Sequence, residues 1–319
     1  MMTRVLGRSG IRVSALGMGC WAIGGPFWHN GEPVGWGQVD DAESLRAIRK
    51  ALDLGVNFFD TADVYGCGHS ERMLGKALAG HRDEVVIATK FAHVFDEQAR
   101  SWSHDDASPE YLRSACEASL KRLNTEVIDL YQFHAGGYDP ALAPAVMATL
   151  EELAATGKIR WYGWSTDDPQ RARIFAQGEH CTAIQQRFNI FDGNPETLAV
   201  CEQLNLASIN RGPLAMGLLT GKFTSESSLP SDDVRYDWNL KEGEMAERLK
   251  RLQTLRAVLT RDGRTLAQAA LGWLWARSEK TIPIPGFKTV KQVEENAGAL
   301  RYGPLSPEQM SEIEGILGR

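Results

Sequence analysis

The chain has 319 residues, a hydrophobic content of 43% and a formal net charge of −6. The length and apolar content permit one large domain, and the acidic balance argues against nucleic acid, which needs a basic surface. The five cysteines form no CxxC pair and are odd in number, which argues against a disulfide framework and favours a reducing compartment. Without a signal peptide or a membrane-length apolar run, we expect a cytoplasmic protein with no membrane partner. The sequence defines no oligomeric state.

Short apolar runs alternate with helical patterns along most of the chain. A first pair of strands, Arg4–Leu6 and Ile11–Val13, flanks a glycine-containing turn and predicts an N-terminal β-hairpin. The helices predicted most clearly are Asp41–Leu54, His69–Ala79, Pro109–Leu123 and Ala143–Ala155. The predicted sheet strands are Ala15–Gly19, Val56–Phe59, Val85–Thr89, Val127–Gln132, Ile159–Trp164, Ala183–Arg187, Ala207–Asn210 and Thr281–Pro283.

Eight such strands with intervening helices predict an α/β fold, a (β/α)8 barrel of the TIM type. We expect residues 1–319 to form a single domain, with the hairpin plugging the bottom of the barrel. Three segments are too long for simple connections: Trp21–Val39, Phe91–Ala107 and Thr220–Gly243. We expect them to lie on the catalytic face and to shape a substrate pocket, because their tryptophans favour ordered loops over disordered insertions.

Four ionisable residues follow predicted strands: Asp60, Tyr65, Lys90 and His134. Catalytic groups in barrels lie at the carboxyl ends of several strands. A tyrosine, a lysine and a histidine at one barrel mouth indicate proton transfer to or from a carbonyl or alcohol oxygen. Each residue alone also has an ordinary interpretation, such as a wall tyrosine, a structural ion pair or a structural histidine.

The chain resembles the aldo-keto reductase superfamily in several segments that occur in the family's order. The first signature is similar to residues 57–66, NFFDTADVYG, and the next two contain Lys90 and His134. The other similar segments are Gly163–Ser165, Gln185–Asn189, Gly212–Lys222 and Ile284–Asn296. The similarity runs over almost the whole chain.

The resemblance implies an NADP(H)-dependent reductase that interconverts small aldehydes or ketones with alcohols. Tyr65 would be the general acid, and the Lys90 ammonium would lower the pKa of its phenol. Asp60 would pair with Lys90, and His134 would donate a hydrogen bond to the substrate oxygen. Trp21, Phe91 and Trp102 are the expected substrate-pocket residues.

The second half of the chain supplies most of the cofactor residues that the resemblance implies. Ser165, Thr166 and Gln185 would hold the nicotinamide carboxamide, although the family usually has Asn where this chain has Thr166. Lys288 would contact the 2′-phosphate, at a helix start where free N–H groups also meet phosphate. Gln292 stands where many relatives have Arg, which weakens the preference for NADPH over NADH. The remaining cofactor residues are Gly19, Cys20, Trp21, Arg211, Gly212, Pro213, Leu214, Gly217, Leu218, Lys222, Gly286, Glu295 and Asn296.

Arg211 occupies a position where the family often has an aromatic residue under the nicotinamide. A planar guanidinium can stack on a flat ring, and a stacked cation would favour NADPH over NADP+. The alternative is that Arg211 turns away and pairs with a carboxylate.

Residues 17–22, GMGCWA, satisfy the G-x-G-x-x-A pattern of a dinucleotide-binding loop. Because Gly24-Gly25-Pro26 prevents the helix that this motif requires, we reject that interpretation. We expect the glycines to allow close approach of the nicotinamide, and Trp21 either to line the pocket or to pack at the barrel end.

The histidines have no metal-ligand spacing, so we expect no metal. Besides His134 they are interpreted as loop or surface residues: His29, His69, His81, His93, His104 and His180. Two other functions stay open. One is a cofactor-binding regulatory subunit similar to potassium-channel β-subunits, and the other is a barrel lyase or isomerase with Lys90 as a Schiff base.

Overall fold

Strand and helix alternate along residues 1–319, all of which the computed structural model describes. The strands are β1 (Thr3–Val5), β2 (Arg12–Ser14), β3 (Met18–Gly19), β4 (Trp28–His29), β5 (Glu32–Pro33), β6 (Phe58–Asp60), β7 (Val86–Phe91), β8 (His93–Asp96), β9 (Ser101–Asp105), β10 (Ile128–Phe133), β11 (Ile159–Ser165), β12 (Cys181–Arg187), β13 (Ala207–Arg211) and β14 (Thr281–Pro283). The α-helices are α1 (Asp41–Asp53), α2 (His69–Ala77), α3 (Pro109–Leu123), α4 (Ala143–Ala155), α5 (Pro169–Phe175), α6 (Pro195–Gln203), α7 (Gly243–Leu259), α8 (Leu266–Arg277), α9 (Val290–Gly298) and α10 (Pro307–Leu317).

Eight parallel strands form one sheet in the order β14-β13-β12-β11-β10-β7-β6-β3. The two edge strands meet, because the amide of Gly17 donates to the carbonyl of Pro283 at 3.0 Å and that of Gly19 to Pro285 at 3.0 Å. The sheet therefore closes on itself, and the predicted (β/α)8 barrel is confirmed. The chain has two α-helices more than the eight that a (β/α)8 barrel needs, and two of its helices, α7 and α10, pack against each other.

Local sequence signals explain where the helices begin. The Ser108 hydroxyl accepts a hydrogen bond from the amide of Tyr111, and Pro109 is the first residue of α3. Asp40 caps α1 in the same way, accepting from the amides of Ala42 and Glu43. A capping side chain satisfies amides that have no partner inside the helix. The predicted bounds of α3 and α4 are confirmed to the residue.

The core has two layers. A cluster of 70 buried residues fills the space between the strands and the helices. A second cluster of 11 residues lies inside the barrel and includes Leu6 and Val13 from the hairpin of β1 and β2. The hairpin therefore plugs the barrel, as predicted. Its turn needs glycine, because Gly7 has a φ of +52° and a Cβ there would lie 2.0 Å from the Thr182 carbonyl oxygen.

Two of the three long segments fold onto each other, which the sequence did not predict. Strands β5, β4, β9 and β8 form a separate four-stranded sheet in that order. The third segment crosses the first, since the amide of Val234 donates to the Gly35 carbonyl at 2.7 Å. None of the helices is long and apolar enough to cross a membrane.

Candidate active site

The four predicted ionisable residues meet at the carboxyl ends of neighbouring strands. Asp60 ends β6, Lys90 lies near the end of β7, and His134 follows β10. These three strands are adjacent in the barrel, and Tyr65 lies in the loop that follows β6. The first and last of these residues, Asp60 and His134, are 74 positions apart in the sequence. The barrel topology therefore brings distant parts of the chain together.

Lys90 is the centre of the site. Its buried ammonium donates to Asp60 Oδ1 at 2.6 Å, to the Thr61 carbonyl at 2.8 Å and to the Tyr65 hydroxyl at 3.2 Å. These three acceptors use all three N–H bonds of the ammonium. Burial lowers the pKa of Lys90, but Asp60 and Tyr65 raise it further, so the net pKa lies above its usual value. Lys90 is therefore a fixed cation beside the phenol.

Two glutamines hold the Asp60 carboxylate. Gln132 Nε2 donates to Asp60 Oδ2 at 2.9 Å and Gln185 Nε2 donates to the same oxygen at 2.8 Å. Sequence reasoning missed Gln132, although it lies two residues before His134 on the inward face of β10. It assigned Gln185 to the nicotinamide alone. Gln185 Nε2 also donates to Gln132 Oε1 at 3.1 Å. Both amide hydrogens of Gln185 are therefore in use, and only its carbonyl oxygen is left to accept a further hydrogen bond.

The pKa of Tyr65 shifts in the direction opposite to the one expected from Lys90 alone. Burial raises the pKa of the Tyr65 phenol, and the opposing effect of Lys90 does not reverse this. Tyr65 therefore carries its proton at neutral pH and can act as a proton donor. Its ring stacks on Trp21, with centroids 5.9 Å apart and planes at 21°.

His134 lies beside Tyr65, with ring centroids 5.9 Å apart. Burial lowers the pKa of His134 well below its usual value, and His93, Lys90 and Arg211 lower it further, so the imidazole is neutral at pH 7. The Nδ1 atom of His134 is buried and has no hydrogen-bond partner, whereas Nε2 is not among the buried unpartnered atoms. The neutral imidazole can thus present Nε2–H to an oxygen in the pocket.

The predicted pocket residues separate into two groups. Trp21 and Trp102 are half-buried and line the barrel mouth. The prediction for Phe91 is wrong, because its side chain is fully buried and stacks on Tyr131 at 4.4 Å. Successive side chains of a strand point to opposite faces. With Lys90 inside the barrel, Phe91 faces the surrounding helices.

The interpretation of every histidine other than His134 as a loop or surface residue is also wrong for His93. It is buried, and its ring lies 4.6 Å from that of His134. Trp102 packs against His93 at 4.1 Å and against His29 at 3.9 Å. The sequence did not predict the pairing of β8 with β9, which brings His93 and Trp102 together at the barrel mouth.

Gly17 and Gly19 have a structural reason that differs from the expected one. A Cβ on Gly17 would lie 2.5 Å from a ring carbon of Phe58, and one on Gly19 would lie 2.6 Å from the Ile284 carbonyl oxygen. Both distances are shorter than atoms tolerate. The glycines therefore permit close contacts with Phe58 and Ile284 near the barrel seam. This reason does not depend on a nicotinamide, whose close approach to them stays a prediction. The Cys20 side chain, next to Gly19, is fully buried.

Arg211 pairs with a carboxylate. Its guanidinium lies 2.6 Å from Asp167 Oδ2, the alternative considered for this residue. Asp167 in turn accepts from the amide of Arg187 at 2.6 Å. The positive charge of Arg211 is thus neutralised at the mouth of the barrel. The Arg211 side chain lines a cleft of about 670 Å³, which Ser165 and Thr166 also line.

The loop after β13 is a tight turn surrounded by cations. Ala215 and Met216 have φ values of +47° and +53°, a conformation that costs about 1–2 kcal/mol per non-glycine residue. A Cβ on the next residue, Gly217, would lie 3.3 Å from Arg235 Nη1 and 3.4 Å from Lys222 Nζ. Sequence reasoning missed Arg235, which lies in the irregular third segment and pairs with buried Asp233 at 2.7 Å.

Lys288 belongs to the same cationic group. Its ammonium donates to the carbonyls of Trp36 and Gln38, the latter at 3.1 Å. Burial lowers the pKa of Lys288, and Arg235 lowers it further, as it also does for Lys222. Arg235 packs over the ring of Trp36, with its Cζ 4.3 Å from the ring centroid, so Lys288 and Arg235 both contact Trp36. One ammonium hydrogen of Lys288 is still unused.

The expectation of free N–H groups at the start of α9 is wrong for most of them. The Gln292 Oε1 atom accepts from the amides of Lys288 at 2.7 Å and Thr289 at 3.3 Å. The amide of Val290 donates to Glu43 Oε1 at 2.8 Å. Gln292 is thus a capping residue, and Asn296, which donates to the Gly286 carbonyl at 3.4 Å, is buried nearby.

No group of three His, Cys, Asp or Glu side chains lies together in a way that could hold a metal ion. All five cysteines are free and buried.

Comparisons with known proteins agree over nearly the whole chain. The Aldo/keto reductase family model matches residues 15–317. An uncharacterised oxidoreductase of Bacillus subtilis, YqkF, is 29% identical over 98% of this chain and 96% of its own. A probable aldo-keto reductase of Glycine max is 30% identical over 97% of this chain and 86% of its own.

Solved structures give the same result. A glycerol dehydrogenase from Gluconobacter oxydans has a TM-score of 0.85 at 30% identity, covering 99% of this chain and 95% of its own. An aldo/keto reductase from Klebsiella pneumoniae, in complex with NADP and acetate, has a TM-score of 0.73 at 27% identity, with coverage of 99% and 95%. Fold and relatives together define a (β/α)8-barrel oxidoreductase. The chain belongs to the aldo/keto reductase family, which confirms the resemblance drawn from its motifs.

Proposed function

We propose that this chain, acting as one domain over residues 1–319, is an NADPH-dependent reductase of aldehydes and ketones that also runs in reverse on alcohols. The observation that carries the proposal is the Lys90 ammonium, which contacts both the Tyr65 hydroxyl at 3.2 Å and the Asp60 carboxylate at 2.6 Å. It places a protonated phenol and a fixed cation at the mouth of a barrel. The relative from Klebsiella pneumoniae binds NADP, which supports the choice of cofactor.

The residues of the second half fit a phosphorylated dinucleotide. Three neighbouring cations surround a strained turn, and the net positive charge suits pyrophosphate and 2′-phosphate groups. Ser165, Thr166 and the free oxygen of Gln185 would hold the carboxamide. The residues that would bind the phosphates are Lys222, Arg235 and Lys288, around the loop that contains Gly212, Pro213, Leu214, Gly217 and Leu218. Glu295 and Asn296 would lie at the adenosine end.

A bound NADPH supplies the hydride that reduces the carbonyl carbon. In the proposed reaction the Tyr65 hydroxyl donates its proton to the carbonyl oxygen as the alcohol forms. Lys90 stabilises the phenolate that remains, until a proton from solvent restores the phenol. The neutral imidazole of His134 donates a hydrogen bond from Nε2 to the same carbonyl oxygen and orients it. Alcohol oxidation uses the same residues in reverse, with the Tyr65 phenolate as base.

The geometry disfavours a Schiff-base enzyme. The Lys90 side chain has no exposed surface, and its three N–H bonds are all in use, so a substrate carbonyl has no path to the nitrogen. A regulatory subunit would retain the same cofactor residues but would not need the proton donor. Turnover separates these functions.

The test is NADPH consumption with a panel of aldehydes and ketones, for the wild type and Tyr65→Phe. We expect Tyr65→Phe to lose roughly a hundredfold to ten-thousandfold in kcat, which is what general acid catalysis contributes. Its binding of NADPH, followed by fluorescence quenching, should stay near that of the wild type. A loss below about tenfold would remove Tyr65 from the role of acid, and no turnover of any carbonyl by the wild type would support a regulatory role.

A further inference from the structure

A second histidine stands at the substrate pocket in addition to His134. His93, the first residue of β8, lies between two rings, with centroids 4.6 Å from His134 and 4.1 Å from Trp102. Its side chain is buried, although histidine is a residue of only intermediate burial in proteins. Nothing in the proposed reaction uses it.

Hydrogen bonding fixes which nitrogen of His93 is available. Asp105 Oδ1 lies 2.5 Å from His93 Nδ1. Because a carboxylate only accepts hydrogen bonds, Nδ1 must carry a hydrogen. The other ring nitrogen, Nε2, has no hydrogen-bond partner in the protein, and it is not among the fully buried unpartnered atoms. It is therefore an unpartnered polar atom of a ring that packs against His134 and Trp102 at the barrel mouth.

The backbone around His93 is held in a strained conformation. Ala92 has a φ of +131°, a region that residues with a side chain rarely adopt. The Ala92 carbonyl accepts from the amide of Asp106 at 2.8 Å, and the His93 carbonyl accepts from the Tyr111 hydroxyl at 2.8 Å. These bonds on both sides keep the turn in place and set the position of the His93 ring.

We propose that His93 Nε2 binds a hydroxyl group on the carbon next to the reacting carbonyl, so that short α-hydroxy aldehydes and ketones are the preferred substrates. This inference rests on the proposed function, since it takes the carbonyl oxygen to lie on His134 and Tyr65. Two oxygens on adjacent carbons then face two imidazoles that are themselves in contact. A hydroxyl both donates and accepts, so it pairs with Nε2 whether or not that nitrogen carries a hydrogen.

Charge favours a neutral hydroxyl over an anionic group at this place. Lys90 is paired with Asp60, and Arg211 is paired with Asp167. The carboxylate of Asp105 lies against His93 itself. Lys90 and Arg211, the two basic side chains that act on His134, are thus each paired with a carboxylate, which makes a substrate carboxylate or phosphate a poorer fit beside the two imidazoles than a neutral hydroxyl.

The test compares substrates that differ only by a hydroxyl in place of a methyl group: glycolaldehyde against propanal, and hydroxyacetone against butanone. For each pair the ratio of kcat/KM is measured with NADPH in the wild type and in His93→Phe. Phenylalanine retains the stack between His134 and Trp102 but lacks the nitrogen. The intrinsic reactivity of each carbonyl is the same in both proteins, so it cancels when the ratios are compared.

We expect the preference for the hydroxylated member to fall roughly tenfold in His93→Phe, the loss typical of one hydrogen bond. A general effect of the substitution on rate is shared by both members of a pair and does not change the ratio. His29→Phe is the matched control, because His29 stacks on the other face of Trp102 and should leave the ratio unchanged. His93→Leu provides a second variant if His93→Phe does not fold.

An unchanged ratio in His93→Phe, or an equal loss on both members of a pair, would overturn the inference but leave the reductase activity standing. Failure of the wild type to reduce any of the four compounds would count against the proposed function itself, and the inference would fall with it.

Discussion

At the scale of single residues, variants of the Lys90–Asp60 ion pair can distinguish its contribution to stability from its contribution to catalysis. Lys90→Met leaves a buried carboxylate without its cation, so we expect a loss of about 3–5 kcal/mol in the free energy of unfolding. Adding Asp60→Asn removes that charge while its amide oxygen still accepts from Gln132 and Gln185. The double variant should therefore recover at least half of the loss. Urea unfolding measures both, and both variants should be inactive. A double variant no more stable than Lys90→Met would contradict this account.

His134 gives a second prediction at this scale, on pH dependence. Its pKa is lowered on folding, so between that depressed value and the usual 6.5 the unfolded chain binds the proton and the folded protein does not. Stability contributed by the neutral imidazole is therefore complete above pH 6.5 and falls as the pH drops below it, by up to about 1.4 kcal/mol per pH unit. His134→Phe cannot titrate. Urea unfolding at pH 7 and pH 5 should show a smaller decrease for this variant, and equal decreases would argue against a buried neutral His134.

At the scale of elements, we expect the turn before α9 and the loop after β13 to determine together the preference for NADPH over NADH. Lys288→Ala removes one of three neighbouring cations, so we expect NADPH binding to weaken by roughly tenfold or more, and NADH binding to weaken less because it lacks the 2′-phosphate. Lys291→Ala is the control, since Lys291 is an exposed lysine on α9. Fluorescence titration measures the affinity of the wild type and of both variants for each of the two cofactors. Equal weakening of both cofactors by Lys288→Ala would show that its bonds to the Trp36 and Gln38 carbonyls are its main contribution.

Local signals predicted the elements well, because they depend on neighbours in sequence. The cap at Ser108 and the proline at position 109 set the start of α3, and the prediction was right to the residue. Contacts between distant segments left no such signal. Gln132 meets Asp60 only when the barrel closes, and His93 reaches His134 only when β8 pairs with β9. Arg235 lies in an irregular segment without any periodic pattern. Alternation along β7 could have excluded Phe91 from the pocket, since the neighbouring Lys90 was already assigned to the active site at the barrel mouth.

At the scale of the whole molecule, a barrel divides stability from function between its two ends. Leu6 lies on the plugging hairpin and is fully buried inside the barrel, whereas Val5, next to it, is 41% exposed. Leu6→Ala removes buried methyl groups and leaves a cavity, so we expect a loss of about 2–5 kcal/mol in the free energy of unfolding. Val5→Ala should cost far less. Because the hairpin lies at the end opposite to Tyr65 and His134, kcat/KM of both variants should equal that of the wild type at temperatures where they remain folded. Thermal unfolding and NADPH consumption on the same samples provide the measurement. A fall in kcat/KM for Leu6→Ala without loss of folded protein would show that packing at the bottom of the barrel also positions the residues at its mouth.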